Sequence, residues 1–143
     1  SFLRFDRITI ARSIKMSSIY NIFPFQKRCI NLLTRFRVVD NSELGKLGSR
    51  DRAPYLISRH KKRRYQLGDI VTVAIKGKTS KALIVGLKKK SGLFIPSTST
   101  NNIILLDENK NPLGTRATVP IPLIIGTLRK DCPKILSMVS RFI

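Results

Sequence analysis

The chain has 143 residues, with Lys+Arg 28 against Asp+Glu 8 and a formal net charge of +20. That length suits one domain, two at most, and the charge points to nucleic acid or another polyanion rather than to an ordinary metabolic enzyme. A hydrophobic fraction of 42 % is enough for a small core and too high for a wholly disordered chain, and two cysteines are too few for a disulfide framework.

Residues 1–32 carry six basic residues (Arg4, Arg7, Arg12, Lys15, Lys27, Arg28) and one acid, Asp6. Ser13, Ser17 and Ser18 lie among Ile, Phe and Leu. An Arg-rich, Ser-containing, acid-poor and weakly amphipathic stretch has the pattern of a mitochondrial presequence. The competing expectation is a disordered basic extension. Met16 is a candidate true start beside Ser1. Residues 33–143 then form the folded domain.

Arg35 to Asp40 alternates basic with apolar, which predicts a half-buried strand with Phe36 and Val38 inward and Arg35 and Arg37 outward. Pro54 to Ser58 is a weaker strand candidate. Asp69 to Lys76 is the clearest strand, rich in β-branched residues. Gly77, Thr79 and Ser80 suggest a turn, and Lys81 to Gly86 returns, so 69–86 is expected to be a hairpin. Asn102 to Asp107 is a further strand, with Asn109 to Pro112 as its turn. Leu123 to Lys130 suggests a short helical turn. Ile135, Leu136, Val139, Phe142 and Ile143 recur at helical spacing, with Pro133 suited to a first helical position. The fold class is mainly β: a small barrel with helical structure near the carboxyl end.

Several motifs of catalysis and metal binding fail on inspection. Gly77-Lys78-Thr79 resembles the end of a P-loop, but Thr72 stands where its first glycine is required. Asp107 to Asn111 resembles the start of a calcium loop, but Pro112 replaces the turn glycine and Thr118 the bidentate Glu. His60 lies in a cationic run that disfavours a base or metal ligand there. Cys132 reads as a packing residue and Asp40 and Asp69 as partners in turns. No catalytic, cofactor or metal constellation emerges, and the chain is expected not to be an enzyme.

The basic residues are organised. Residues 59–64 read Arg-His-Lys-Lys-Arg-Arg, and the window 76–90 holds Lys76, Lys78, Lys81, Lys88, Lys89 and Lys90 with no acid. Arg116 follows Gly114-Thr115. Residues 33–143 keep 22 basic against 7 acidic residues. A charge run is usually a solvated face, but this excess is larger than solvation requires and favours phosphate. Lysine supplies a point counterion and arginine a planar fork that bridges two oxygens. The few aromatics do not form an RNA-recognition motif, and no helix-turn-helix or zipper pattern appears. Charged loops on a barrel suit folded RNA, read by shape and phosphate.

The segments Val38-Val39-Asp40-Asn41-Ser42, Gly68-Asp69-Ile70, Ala74-Ile75-Lys76-Gly77, Lys81 to Gly86, Asn111-Pro112-Leu113-Gly114-Thr115-Arg116 and Lys134 to Ser137 occur in order. Together, over residues 33–143, they closely resemble the universal large-subunit ribosomal protein fourteen family in its mitochondrial form. The resemblance implies a five-stranded β-barrel with a small helical portion near the carboxyl end and no catalysis. It implies a structural place in the mitochondrial large ribosomal subunit, in the matrix. The implied partners are ribosomal RNA, neighbouring large-subunit proteins three and nineteen, small-subunit RNA at an intersubunit bridge, and the ribosome-silencing factor. Asp40, Asn41, Ser42, Lys76, Lys81 and Arg116 lie in matching motifs. The connection from Lys76 to Lys81 is shorter than in bacterial relatives. Where the family has an Arg-Phe-Asp-like stretch, this chain has Leu93 to Thr100. The dense cluster Lys61 to Arg64 is a candidate compensation. The RNA-binding set is therefore Arg35, Arg37, Asn41, Ser42, Lys61, Lys62, Arg63, Arg64, Lys76, Lys78, Lys81, Lys88, Lys89, Lys90 and Arg116. The alternative is a free RNA-binding or RNA-chaperone module. Amino-terminal sequencing of the mature protein is expected to begin near residue 33; a mature chain retaining Arg4 to Arg28 would contradict the presequence.

Overall fold

The computed structural model describes residues 30, 32–50, 52–57, 65–88 and 95–143, with backbone only for 47–50. The amino-terminal segment 1–29 and the basic residues Lys61 to Arg64, Lys89 and Lys90 lie outside the described residues. The elements in order are β1 (Arg37–Val38), α1 (Glu43–Arg50), β2 (Tyr55–Leu56), β3 (Ile70–Ile75), β4 (Lys78–Gly86), β5 (Asn102–Leu106), α2 (Ile124–Leu128) and α3 (Pro133–Met138). The strands form one curled sheet in the order β1-β5-β4-β3-β2. The mainly β, barrel-like architecture with short carboxyl-terminal helices matches the sequence expectation.

The segment around β1 joins the two edges of that sheet. Leu56 N–H donates to Thr34 O at 3.1 Å and Phe36 N–H to Pro54 O at 2.9 Å, so the chain before β1 pairs with β2. Arg37 N–H then donates to Asn101 O at 2.8 Å and Val39 N–H to Ile103 O at 3.0 Å, so its continuation pairs with β5. One short stretch satisfies both edges and leaves fewer unpaired backbone groups there.

Two apolar clusters share the wall made by β4 and β5. Phe36, Leu56, Val71, Val73, Ile75, Ala82, Ile84, Ile103 and Leu105 fill the concave side. Leu83, Val85, Ile104 and Leu106 point the other way, onto Val39, Ala117, Ile121, Ile125, Cys132, Ile135 and Met138. Every residue of β5 is buried, which is why Ile103 to Leu106 form a continuous apolar run rather than an alternation. Each such Leu or Ile contributes about 1.5–3 kcal/mol relative to exposure. The carboxyl-terminal segment is also tied by its backbone: Thr118 N–H donates to Val39 O at 2.9 Å, Ala117 N–H to Met138 O at 3.0 Å, and Ile121 N–H to Arg141 O at 3.1 Å. Arg129 fastens the end of α2 to the 66–69 turn, donating to Gly68 O and approaching Asp69 at 3.5 Å.

Four details differ from the sequence expectation. Regular pairing within Arg35 to Asp40 is confined to β1, with bridges at Arg35 and Asp40, because the segment changes partners midway. The β3–β4 turn is only Lys76-Gly77, with φ of 46° and 78°, so Thr79 and Ser80 belong to β4. Two consecutive left-handed residues reverse the chain directly and need no longer loop. Helix α3 has Pro133 in its first turn, as expected, but stops at Met138. Phe142 and Ile143 instead run beside Ile121, where backbone pairing replaces a further helical turn.

The fourth difference is α1, whose Gly45 and Gly48 give it low helix propensity. It forms because Ser42 caps it and Leu44 packs toward the barrel. The Gly45 amide donates to Ser42 Oγ at 3.2 Å. A Cβ on Gly45 would lie 2.5 Å from Val38 Cγ1, so glycine permits the close approach of helix and strand. Ser42→Ala is expected to cost about 1 kcal/mol of stability in a urea titration; an unchanged midpoint would show that the cap contributes nothing.

Candidate nucleic-acid interface

The described candidates fall into three groups, each positioned by the sheet. The first lies on the side the carboxyl-terminal segment leaves open. Cross-strand pairing sets Arg35 opposite Tyr55, Tyr55 opposite Ala74, and Ala74 opposite Thr79, one row across the sheet. Lys81 lies one row further along, opposite Thr72. Lys76 and Lys78 flank Gly77 at the hairpin end, where Lys78 pairs with Ile75 and so takes the opposite face of the ribbon from Lys81, and all three lysines are exposed. The Arg35 guanidinium sits 5.7 Å from the Tyr55 ring centroid and donates to Ala53 O at 2.9 Å. Both contacts hold an otherwise mobile cation against the sheet.

The second group meets at Asn101. Its carbonyl accepts from the Arg37 amide, and its side-chain Oδ1 accepts from the Lys88 amide at 3.0 Å. The two exposed cations are thereby anchored through one residue. Polar anchoring of this kind positions side chains without consuming their own donors.

The third group surrounds Asp40. Asn41 N–H donates to Arg116 O at 3.0 Å, and Asp40 is bridged to Ala117. Gly114 packs on this pair: a Cβ there would fall 2.9 Å from Asn41 N. Asn41 and Arg116 are exposed, whereas Ser42 is buried and its hydroxyl is engaged with α1. Ser42 therefore acts on the local backbone from within.

Two other cations are committed elsewhere. Arg129 is turned to Asp69 and Lys110 to Asp131. Asp69 also accepts from the Gln66 amide at 2.8 Å, the turn role expected of it. Cys132 is buried among apolar side chains, and burial pushes its thiol pKa up, opposite to the shift a nucleophile needs. Arg52 and Tyr55 were not singled out in the sequence. Arg52 stands alone between Asp51 and Ala53, and Tyr55 falls in the weakest strand, so only the pairing with Arg35 and Ala74 reveals that they adjoin the cationic lysines.

Residues 29–143 match the family model described as ribosomal protein L14p/L23e. The chain is 40 % identical over 115 residues to the large ribosomal subunit protein uL14m of Danio rerio, covering 80 % of this chain and 81 % of that protein.

Asp40 is the unusual member of the third group. Both carboxylate oxygens are buried, and the donors around them do not meet hydrogen-bond geometry. Burial raises its pKa above the ordinary 3.8; the nearby Ser42 hydroxyl and the backbones of Asp40, Leu105 and Gly114 oppose the rise without cancelling it. A raised folded-state pKa means that this group stabilises the fold fully below its unfolded value and that the stabilisation is lost as pH climbs through the folded value. Asp40→Asn removes this titration, so its urea midpoint is expected to fall less, or rise more, than that of the parent chain as pH goes from about 4 to about 7. An equal change in both proteins would contradict the assignment.

Proposed function

Because the chain belongs to the ribosomal protein L14p/L23e family, we propose that it is a structural constituent of the mitochondrial large ribosomal subunit that binds ribosomal RNA and contributes to the intersubunit face. The observation that carries the RNA contact is the outward presentation of Arg35, Arg37, Lys76, Lys78, Lys81, Lys88 and Arg116 by three separate parts of one sheet-built scaffold. The mechanism is electrostatic: the cations replace condensed counterions along folded RNA, and the arginine forks add geometry. Nothing in this role requires a bond to be made or broken.

The finer assignments extend the same reading. Residues 1–32 serve as the import presequence. Lys61, Lys62, Arg63, Arg64, Lys89 and Lys90 add RNA contacts by charge, and Asn41 adds a polar one beside Arg116. Ser42 supports that contact by fixing the start of α1. Exposed apolar residues at the carboxyl end, Leu123, Leu128, Phe142 and Ile143, offer surface for protein neighbours. By family resemblance those neighbours are large-subunit proteins three and nineteen, and the ribosome-silencing factor docks on the intersubunit side.

The test follows the full chain through a high-salt wash of mitochondrial ribosomes. Retention with the large subunit is the expected result. A chain that washes free and is saturated by short single-stranded RNA would instead be the free RNA-binding module. In direct titrations with large-subunit RNA, replacing Lys61, Lys62, Arg63 and Arg64 together by Ala, or Lys78 and Lys81 together by Ala, is expected to lower the salt slope by about 0.7–0.9 per lost phosphate contact. Unchanged slopes would remove those residues from the interface.

A further inference from the structure

Arg52, Ala53, Tyr55, Ala74, Lys76 and Gly77 line a cavity of about 430 Å³ at the open end of the β2–β3–β4 face. Its lining has two chemistries. Ala53, Ala74 and the Tyr55 ring give flat apolar surface, while Arg52 and Lys76 bring positive charge. The pairing register places Ala74 opposite Tyr55, so the small, buried Ala74 forms the floor of the hollow and the exposed Tyr55 and Ala53 its walls. The volume lies within the range of small-molecule sites, and a nucleobase is small and flat enough to enter.

Two further features suit such an occupant. Arg35 lies over the Tyr55 ring and is held by the Ala53 carbonyl, so the aromatic is braced. Lys76 adopts φ of 46° in the two-residue turn, a place where Asn or Gly fits with less strain. Lysine is the costlier choice for the turn, and its side chain lines the cavity.

We infer that this cavity is a subsite for one unpaired nucleotide of the bound RNA, with the base against Tyr55 and Ala53 and the phosphate between Arg52 and Lys76. The inference rests on the reading that the chain binds RNA. The nucleotide is unpaired because only a base outside a helix offers a free face to stack. Arginine beside lysine supplies a fork and a point charge, a combination suited to one phosphate group.

The probes are adenosine 5′-monophosphate, ribose 5-phosphate and a phosphoserine peptide, each titrated into the full chain. Amide shifts of Ala53, Tyr55, Ala74 and Gly77 are followed by NMR. Adenosine 5′-monophosphate is expected to bind at these residues about five- to tenfold more tightly than ribose 5-phosphate, the difference being the stacked base. Tyr55→Ala should erase that difference and Tyr55→Phe should keep it. Lys76→Asn should weaken both ligands while leaving the melting temperature unchanged or higher, which separates loss of a ligand contact from loss of fold. Equal binding of the two small phosphates would reduce the cavity to an anion site and overturn the inference. Tighter binding of the phosphoserine peptide would assign it to a protein partner and also overturn it. Absence of shifts in a chain that still binds large-subunit RNA would defeat the subsite alone; loss of both would defeat the RNA reading as well.

Discussion

Burial of β5 on both faces is the constraint from which the rest of the molecule follows. Ile103 and Leu105 complete the concave core, and Ile104 and Leu106 require a second cover on the opposite side. Most of that cover comes from chain that follows β5, the 117–143 segment folded back over the sheet, with Val39 and Leu67 completing it. Its backbone ties to Val39 hold it against the segment that closes the sheet. Removing either layer would expose one side of a strand that has no polar face to present to water.

The same arrangement decides where function sits. Because the carboxyl-terminal segment occupies the outside of β4 and β5, the outside of β2 and β3 stays open. The row through Arg35, Tyr55, Ala74 and Thr79 lies there, with Lys81 one row on and Lys76 and Lys78 at its end. Arg37 and Lys88 are placed by Asn101, at the start of the doubly buried strand. Asn41 and Arg116 are placed where the chain leaving β1 meets the chain returning after β5. Each cationic group is therefore attached to rigid backbone, which lowers the ordering cost of binding a polyanion.

The elements with strong local signals were legible. The β-branched run at 70–75, the apolar run at 103–106 and Pro133 at a helix start each carry their reason in neighbouring residues. The elements without such signals depend on partners distant in sequence. Helix α1 has two glycines and weak propensity, and it stands because Val38 leaves room for Gly45 and Ser42 supplies the cap. The last residues kept a helical spacing, yet Phe142 and Ile143 pair with Ile121, twenty or so residues earlier in the chain. Ser42, an RNA-contact candidate by its motif, lies buried, because its hydroxyl accepts from the Gly45 amide at the helix start.

Charge, the absence of catalytic spacing and the ordered family motifs were set by the sequence, since each is a property of residue identity and order along the chain. They suffice for a basic, mainly β protein of a ribosomal family. Which cations share a face was decided by tertiary structure alone. Arg35, Arg52, Tyr55 and Lys76 are spread along the chain, and they adjoin only because the strand register aligns them. The hollow among them depends on that register, and a cross-strand register depends on packing of the whole sheet rather than on any local run of residues.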